Sequence, residues 1–376
     1  MSERYVGGWE QAGLFNPLNA PPAPTYTYYL YHWGIDAGTG ANLGVSSSSP
    51  VQVDSLTNWL KITNGYYNVY SIKTDGTLWA WGQNQYGQLG IGNTTGYSSP
   101  KQIGALTTWA NIGANRGAAY GIKTDGTLWS WGYNNNGQLG LGNTTSYSSP
   151  KQVGALTNWK QISGGFFFAV ATKTNGTLWS WGWGTSGVLG LGSTTSYSSP
   201  MQVGSLTNWL NVSCGFYHTL AIKNDGTLWA WGDNNYGELG LGNTSPYSSP
   251  KQIGALTSWL SASGQYYISG AIKSGTLWTW GNNYLGYLGL GTTGSGTYKS
   301  SPTQVGSLSN WAQISTGKNF MAVKTDGTLW GWGMNSSGQL GLGNTTSYSS
   351  PKQVGSLTTW STVSTGNGNR AYGLQY

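Results

Sequence analysis

Charge is what this 376-residue chain has least of: 17 basic and 10 acidic residues, 7% of all positions, against about a quarter in an ordinary soluble domain. Disorder needs high charge and few aromatics, whereas Phe, Trp and Tyr make up 14% here. Arginine stands only at Arg4, Arg116 and Arg370, which excludes the dense basic stripe of a nucleic-acid binder. The one cysteine, Cys214, has no disulfide partner and no neighbours for a metal site, and reads as a small buried residue. No apolar run reaches the roughly eighteen residues that span a bilayer. No basic segment followed by an apolar one marks a secretory signal, so membrane insertion and signal-directed export are not expected.

What is abundant is tryptophan, tyrosine and glycine, and they recur. A strand ending in Trp-Gly occurs at Trp33, Trp81, Trp131, Trp181, Trp231, Trp280 and Trp332, with spacings of 48, 50, 50, 50, 49 and 52 residues. A second tryptophan follows Leu-(Thr/Ser)-x at Trp59, Trp109, Trp159, Trp209, Trp259, Trp311 and Trp360, and a third precedes Trp-Gly by two positions in six copies. Only Trp9 and Trp183 fall outside these sets, so tryptophan is repeat scaffolding and not a ligand site. Within a unit, Ala-Ile-Lys-Asn-Asp-Gly-Thr-Leu-Trp-Ala-Trp-Gly at 221–232 reads as strand, turn, strand. Asp-Gly predicts a type I′ hairpin, whose central residues both need positive φ. In the fifth unit the acid is deleted, leaving Lys273-Ser274-Gly275 and a tighter turn. The repeated lysines Lys73, Lys123, Lys173, Lys223, Lys273 and Lys324 read as a solvated ring.

The two ends complete each other. The last unit stops before any Leu-Trp-x-Trp-Gly, and residues 25–34, containing Tyr28, Leu30 and Trp33-Gly34, supply that half. The expectation is an all-β, seven-bladed β-propeller at 25–376, closed by pairing N- and C-terminal strands, with one blade shared by 25–34 and 360–376. Residues 1–24, ending in a Pro-rich spacer, read as an anchoring arm whose contact residues are Tyr5, Trp9 and Phe15.

The pattern Asp-Gly-x-Leu-Trp-x-Trp-Gly-x-Asn-x-x-Gly-Gln-Leu-Gly-x-Gly, followed by a proline and an aliphatic strand, resembles the regulator of chromosome condensation repeat family over nearly the whole chain. The resemblance implies a seven-bladed propeller, often with terminal closure. One member of that family is a nucleotide exchange factor for a small GTPase that also binds chromatin. Another is a plant ultraviolet-B photoreceptor using a Gly-Trp-Arg-His-Thr turn. Here that turn reads Gly-Phe-Tyr-His-Thr at 215–219, and no copy carries the Trp-Arg pair, so light sensing is not expected. The arm and the uniform repeats also resemble, less specifically, structural proteins of bacteriophage particles.

Chemistry is thin. Four of the acids sit in hairpin turns, and Glu238 replaces a repeat glutamine. The histidines His32 and His218 lie in different units, with a structural hydrogen bond expected for His218. Gly182 to Gly187 matches a dinucleotide fingerprint in letters, but a repeat loop follows it where a helix is required. No catalytic residue, metal site or cofactor is expected, and the protein reads as a non-enzyme. Divergence concentrates in the turn before the Ile-Lys strand, at Tyr66, Tyr67, Arg116, Phe166, Phe167, Phe216, Tyr217, Tyr266, Tyr267 and Lys318. That set is the candidate binding ring; the competing reading is rings that cap the channel and pack on one another. The leading functional expectation is a virion-associated tail or capsid appendage, anchored in a larger assembly through residues 1–24 and meeting host protein or glycan. Its rivals are an intracellular interaction module such as a small-GTPase regulator, in the cytoplasm, and a secreted, extracellular lectin.

Overall fold

A computed structural model describes residues 27–34, 46–366 and 369–376, and the arm residues Tyr5, Trp9 and Phe15 lie outside them. Among the described residues the chain forms seven four-stranded antiparallel sheets. The second blade shows the plan: Trp109–Ala114 innermost, then Ala118–Lys123, Leu128–Gly132 and, outermost, Tyr147–Gln152. The innermost strands neighbour one another around the ring. Their serines stitch adjacent blades. Cys214 donates its N–H to Ser163 Oγ at 3.0 Å, Gly264 to Ser213 Oγ at 3.0 Å, and Thr365 to Ser315 Oγ at 2.9 Å. A largely neutral polar wall thus satisfies the channel side, with a charge at Lys61, whose Nζ donates to the Ala110 carbonyl of the next blade at 2.7 Å.

The seventh blade combines Ser47–Gln52, Tyr29–Gly34, Arg370–Gln375 and Trp360–Thr365. Tyr29 faces Gln375 and the ladder runs without a break to Gly34 opposite Arg370. The two ends therefore close the circle, as the split unit requires. Apolar packing is continuous across that seam: Leu30, Tyr372 and Leu374 join Trp59, Val69 and Trp81 of the first blade.

The core is a ring of clusters between blades, six of them sealed by a tryptophan clasp on a backbone carbonyl, while at the seam Trp81 Nε1 donates to the Tyr372 hydroxyl at 3.3 Å. Trp131 Nε1 donates to the Gln88 carbonyl of the preceding blade at 2.9 Å, and Trp181, Trp231, Trp280, Trp332 and Trp33 repeat the bond. Glycine is required at the contact, since a Cβ on Gly90 would lie 2.6 Å from the Trp131 indole nitrogen. Every outermost strand carries a proline, for example Pro150 and Pro250, which blunts an edge that could pair with another chain.

Two expectations need correction. In the Asp-Gly hairpins only the glycine is left-handed, Gly76 at φ 77, and Lys73 N bonds Thr77 O at 3.0 Å. The loop is three residues long, Thr74-Asp75-Gly76, not a two-residue type I′ turn. The aspartate acts by side chain: Asp75 Oδ1 accepts from Thr77 N at 2.9 Å and Thr77 Oγ1 at 2.7 Å. Thr77 Oγ1 then accepts Trp79 Nε1–H at 2.8 Å. Deleting the acid in the fifth blade produces the two-residue turn, with Ser274 at φ 48 and Gly275 at φ 80.

The second concerns the lysines, which are not a solvated ring. Lys73, Lys123, Lys173, Lys223 and Lys324 are only 4–9% exposed. Each stem runs between two tryptophans; Lys173 Nζ lies 4.5 Å from the Trp159 ring and 3.6 Å from Trp179. Long aliphatic stems bury well on indoles, and the ring faces hold the ammonium. Desolvation lowers all five pKa values.

Candidate interaction face

Strand direction sorts the connections onto two faces. The Asp-Gly hairpins and the loops into each next blade share one, the hairpin face. The turns after the innermost strands and the Gly-rich loops share the other, the turn face. Exposed apolar side chains differ accordingly. Leu106, Leu156, Leu206 and their equivalents mark the hairpin face, while Tyr86, Tyr236, Tyr284 and Tyr298 mark the turn face.

All ten residues of the candidate ring lie on the turn face. Backbone bonds carry one turn to the next: Tyr66 N to Asn115 O at 3.3 Å, Phe166 N to Phe216 O at 3.0 Å, and Phe216 N to Tyr266 O at 3.2 Å. The rings then meet over the channel mouth. Phe166 lies 4.8 Å from Phe216 and 5.4 Å from Tyr217, and Phe216 lies 5.0 Å from Tyr266. Tyr66 of the first blade stacks on Phe216 of the fourth at 5.9 Å. Tyr67, Phe167 and Tyr267 pack beside their sequence neighbours at 4.3, 4.5 and 4.7 Å. Arg116 from the second blade is exposed, with its guanidinium 4.7 Å from the Phe166 ring and 5.9 Å from Tyr66.

These rings cap the channel and pack on one another, and all but the buried Phe216 also keep part of their surface outside. Lys318, in the sixth blade, is half-buried and joins none of these ring contacts. Burial raises the Tyr66 and Tyr217 phenols above their ordinary range and pushes Tyr267 up to about 12. The patch therefore offers neutral phenols around the Arg116 cation, with the Asp233 charge acting on Tyr217 and Tyr267.

The patch is wider than the turn residues alone. Tyr133 lies 5.8 Å from Phe167, Trp183 lies 5.5 Å from Tyr217, and Tyr236 lies 5.2 Å from Tyr267. Tyr86 extends it through Tyr133 at 4.8 Å. The missed signal is the position after Trp-Gly, which reads Gln83, Tyr133, Trp183, Asp233, Asn282 and Met334 and diverges as strongly as the turn. Trp183, outside the repeat sets, is part of this face.

The reactive side chains are locked in structure. His218 Nε2 shares a 2.9 Å hydrogen bond with Ser269 Oγ, which donates to the Glu238 carbonyl at 2.7 Å. Burial drives His218 down to about 3 and the Cys214 thiol up to about 12, so one stays neutral and the other protonated. Glu238 is buried, accepts Tyr236 N–H at 2.7 Å, and is raised by desolvation to about 7. Gly182 to Gly187 runs into a three-residue 3-10 turn, Thr185–Gly187, which lacks the helix N-terminus a phosphate would need. Among the described residues no three His, Cys, Asp or Glu side chains group to hold a metal. No helix there is long and apolar enough to cross a membrane.

Three solved structures share this architecture. Human WBSCR16 superposes with a TM-score of 0.81 at 20% identity, covering 93% of this chain and 98% of its own. Prp20p from Saccharomyces cerevisiae, reported with its binding properties to Gsp1p and histones, gives 0.81 at 18% identity, covering 93% and 92%. Yeast RCC1 (Prp20), solved with Kap60 bound, gives 0.81 at 18%, covering 93% and 89%. At such identities the likeness concerns the fold. The family profile for the regulator of chromosome condensation (RCC1) repeat matches residues 75–114, 125–172, 175–222, 225–272, 274–323 and 326–369. A second profile for the same repeat matches 61–88, 159–188, 209–238 and 311–339. With these matches spanning most of the propeller, the chain belongs to the regulator of chromosome condensation (RCC1) repeat family.

Proposed function

We propose that this chain is a non-catalytic protein-interaction module, a rigid disc that engages a protein partner through the aromatic turn face around Arg116. The observation that carries this reading is the convergence of rings from four blades, with an exposed arginine from a fifth, into one half-open patch. Tyrosine, tryptophan and arginine are the residues that anchor protein interfaces. The protein partners named for the yeast relative, Gsp1p, histones and Kap60, support a protein over a glycan or nucleic acid. The virion expectation rests on residues 1–24, outside the described residues, and the comparisons favour the interaction-module alternative.

The test is quantitative affinity capture and cross-linking from host lysate with the wild type and an Arg116→Ser/Tyr217→Ser double variant. Thermal denaturation checks that the variant stays folded. A partner lost from the variant and cross-linked to the turn face is expected. Retention of every captured protein by the variant, or cross-links confined to the hairpin face, would overturn the reading. A glycan array run alongside detects a lectin.

A further inference from the structure

The hairpin face holds a second kind of site. Each innermost strand starts there with a tryptophan, and the first blade shows where its indole N–H points. Trp59 Nε1 donates to Asp54 Oδ1 at 3.1 Å, and the same oxygen accepts Leu56 N–H at 3.0 Å. Lys73 Nζ sits 4.5 Å from the Trp59 ring centroid, and the Asp54 charge acts on it. A carboxylate, an indole donor and a desolvated ammonium are thus gathered in one notch.

Five other blades keep the tryptophan and the lysine but not the carboxylate, and in four of them the lysine Nζ also lies within 5.2 Å of the indole ring. Where Asp54 stands, those four have Gly104, Gly154, Gly204 and Gly306, and a Cβ on any of these would meet nothing within 4 Å. The indoles of Trp109, Trp159, Trp209 and Trp311 are each 3% exposed, and their N–H groups find no acceptor. The lysine remains over each ring, at 5.2, 4.5, 4.7 and 4.8 Å. Three of these lysines feel a hairpin aspartate nearby. Lys173 does not, because its hairpin carries Asn175. An unmet buried donor beside a desolvated cation is costly until an anion arrives.

We propose that these four notches bind carboxylates, taking Asp or Glu side chains from an acidic segment of a partner protein as Asp54 does internally in the first blade. The leucine two residues beyond each glycine, 46–49% exposed, gives such a segment an apolar contact that a free organic acid would not use. The site is on the opposite face from the aromatic patch and stands independently of it.

The experiment is NMR of the tryptophan indole N–H groups in the full chain, titrated with a peptide of alternating leucine and glutamate. The resonances of Trp109, Trp159, Trp209 and Trp311 are expected to move downfield saturably, Trp159 most. Trp59, already held by Asp54, stays in place, and Asp54→Ala turns it into a fifth responder. Trp360 is an internal control, because Gln375 stands opposite it where the other blades have lysine, and it moves less than those four. Lys173→Gln removes the Trp159 response alone, while the other three report an intact fold. Acetate is expected to shift the same resonances only at far higher concentration; a midpoint equal to the peptide's would overturn the protein-segment source. Four unmoved resonances at millimolar peptide, or Trp59 moving with them in the wild type, would overturn the site itself.

Discussion

Single side chains decide the pH response of this propeller. Glu238 occupies the position of Gln88, Gln138 and Gln339, each buried and each accepting an N–H two residues earlier. Its folded pKa of about 7 stands above the ordinary 4.5. The folded state therefore holds its proton more tightly, so stability falls as pH rises between those values and stays low above them. Glu238→Gln is expected to gain about 2–3 kcal/mol at pH 8 and almost nothing below pH 4.5, read from denaturation midpoints at both pH values. His218 works in the opposite direction. Its folded pKa of about 3 lies below the ordinary 6.5, so stability is complete above 6.5 and drains away as pH falls toward 3. His218→Phe, the residue at this place in the third blade, should flatten that acid limb; an unchanged profile would show that the histidine is not its source.

The hairpins behave as elements. Asp75→Ala breaks a relay of three hydrogen bonds from carboxylate to threonine to Trp79 and is expected to cost about 1 kcal/mol. Asp75→Asn should cost much less, because Asn175 already makes the same pair of bonds in the third blade. In the fifth blade Ser274 holds a left-handed conformation that favours asparagine. Ser274→Asn should raise the melting temperature, and Ser274→Val lower it. The number of blades and the position of their hairpins were legible because Asp-Gly and Trp-Gly recur at nearly fixed spacing. The turn class was not, since Asp-Gly serves both loop lengths and only the pairing of Lys73 with Thr77 separates them. Nor was lysine burial, because a period of about fifty residues says which positions are equivalent and not which side of the strand they face. The turn aromatics stood out by divergence, whereas Tyr133 and Trp183 were hidden in a loop whose glycines made it look invariant.

At the scale of the whole molecule, the packing is a circle of interblade clusters that lasts only while both ends take part. Leu30 and Leu374 come from opposite ends of the sequence and share one cluster with the first blade. That continuity makes the disc rigid and keeps its two faces chemically distinct, tyrosine-rich on one side and leucine-rich on the other. The most direct test is a cross-link at the seam. Tyr29→Cys with Gln375→Cys places two thiols on a facing pair of the closing ladder. Oxidation of the folded protein should join them nearly completely within one chain and raise the melting temperature. A folded, native-like disc whose two cysteines stay unlinked, or link only between chains, would contradict the closed ring.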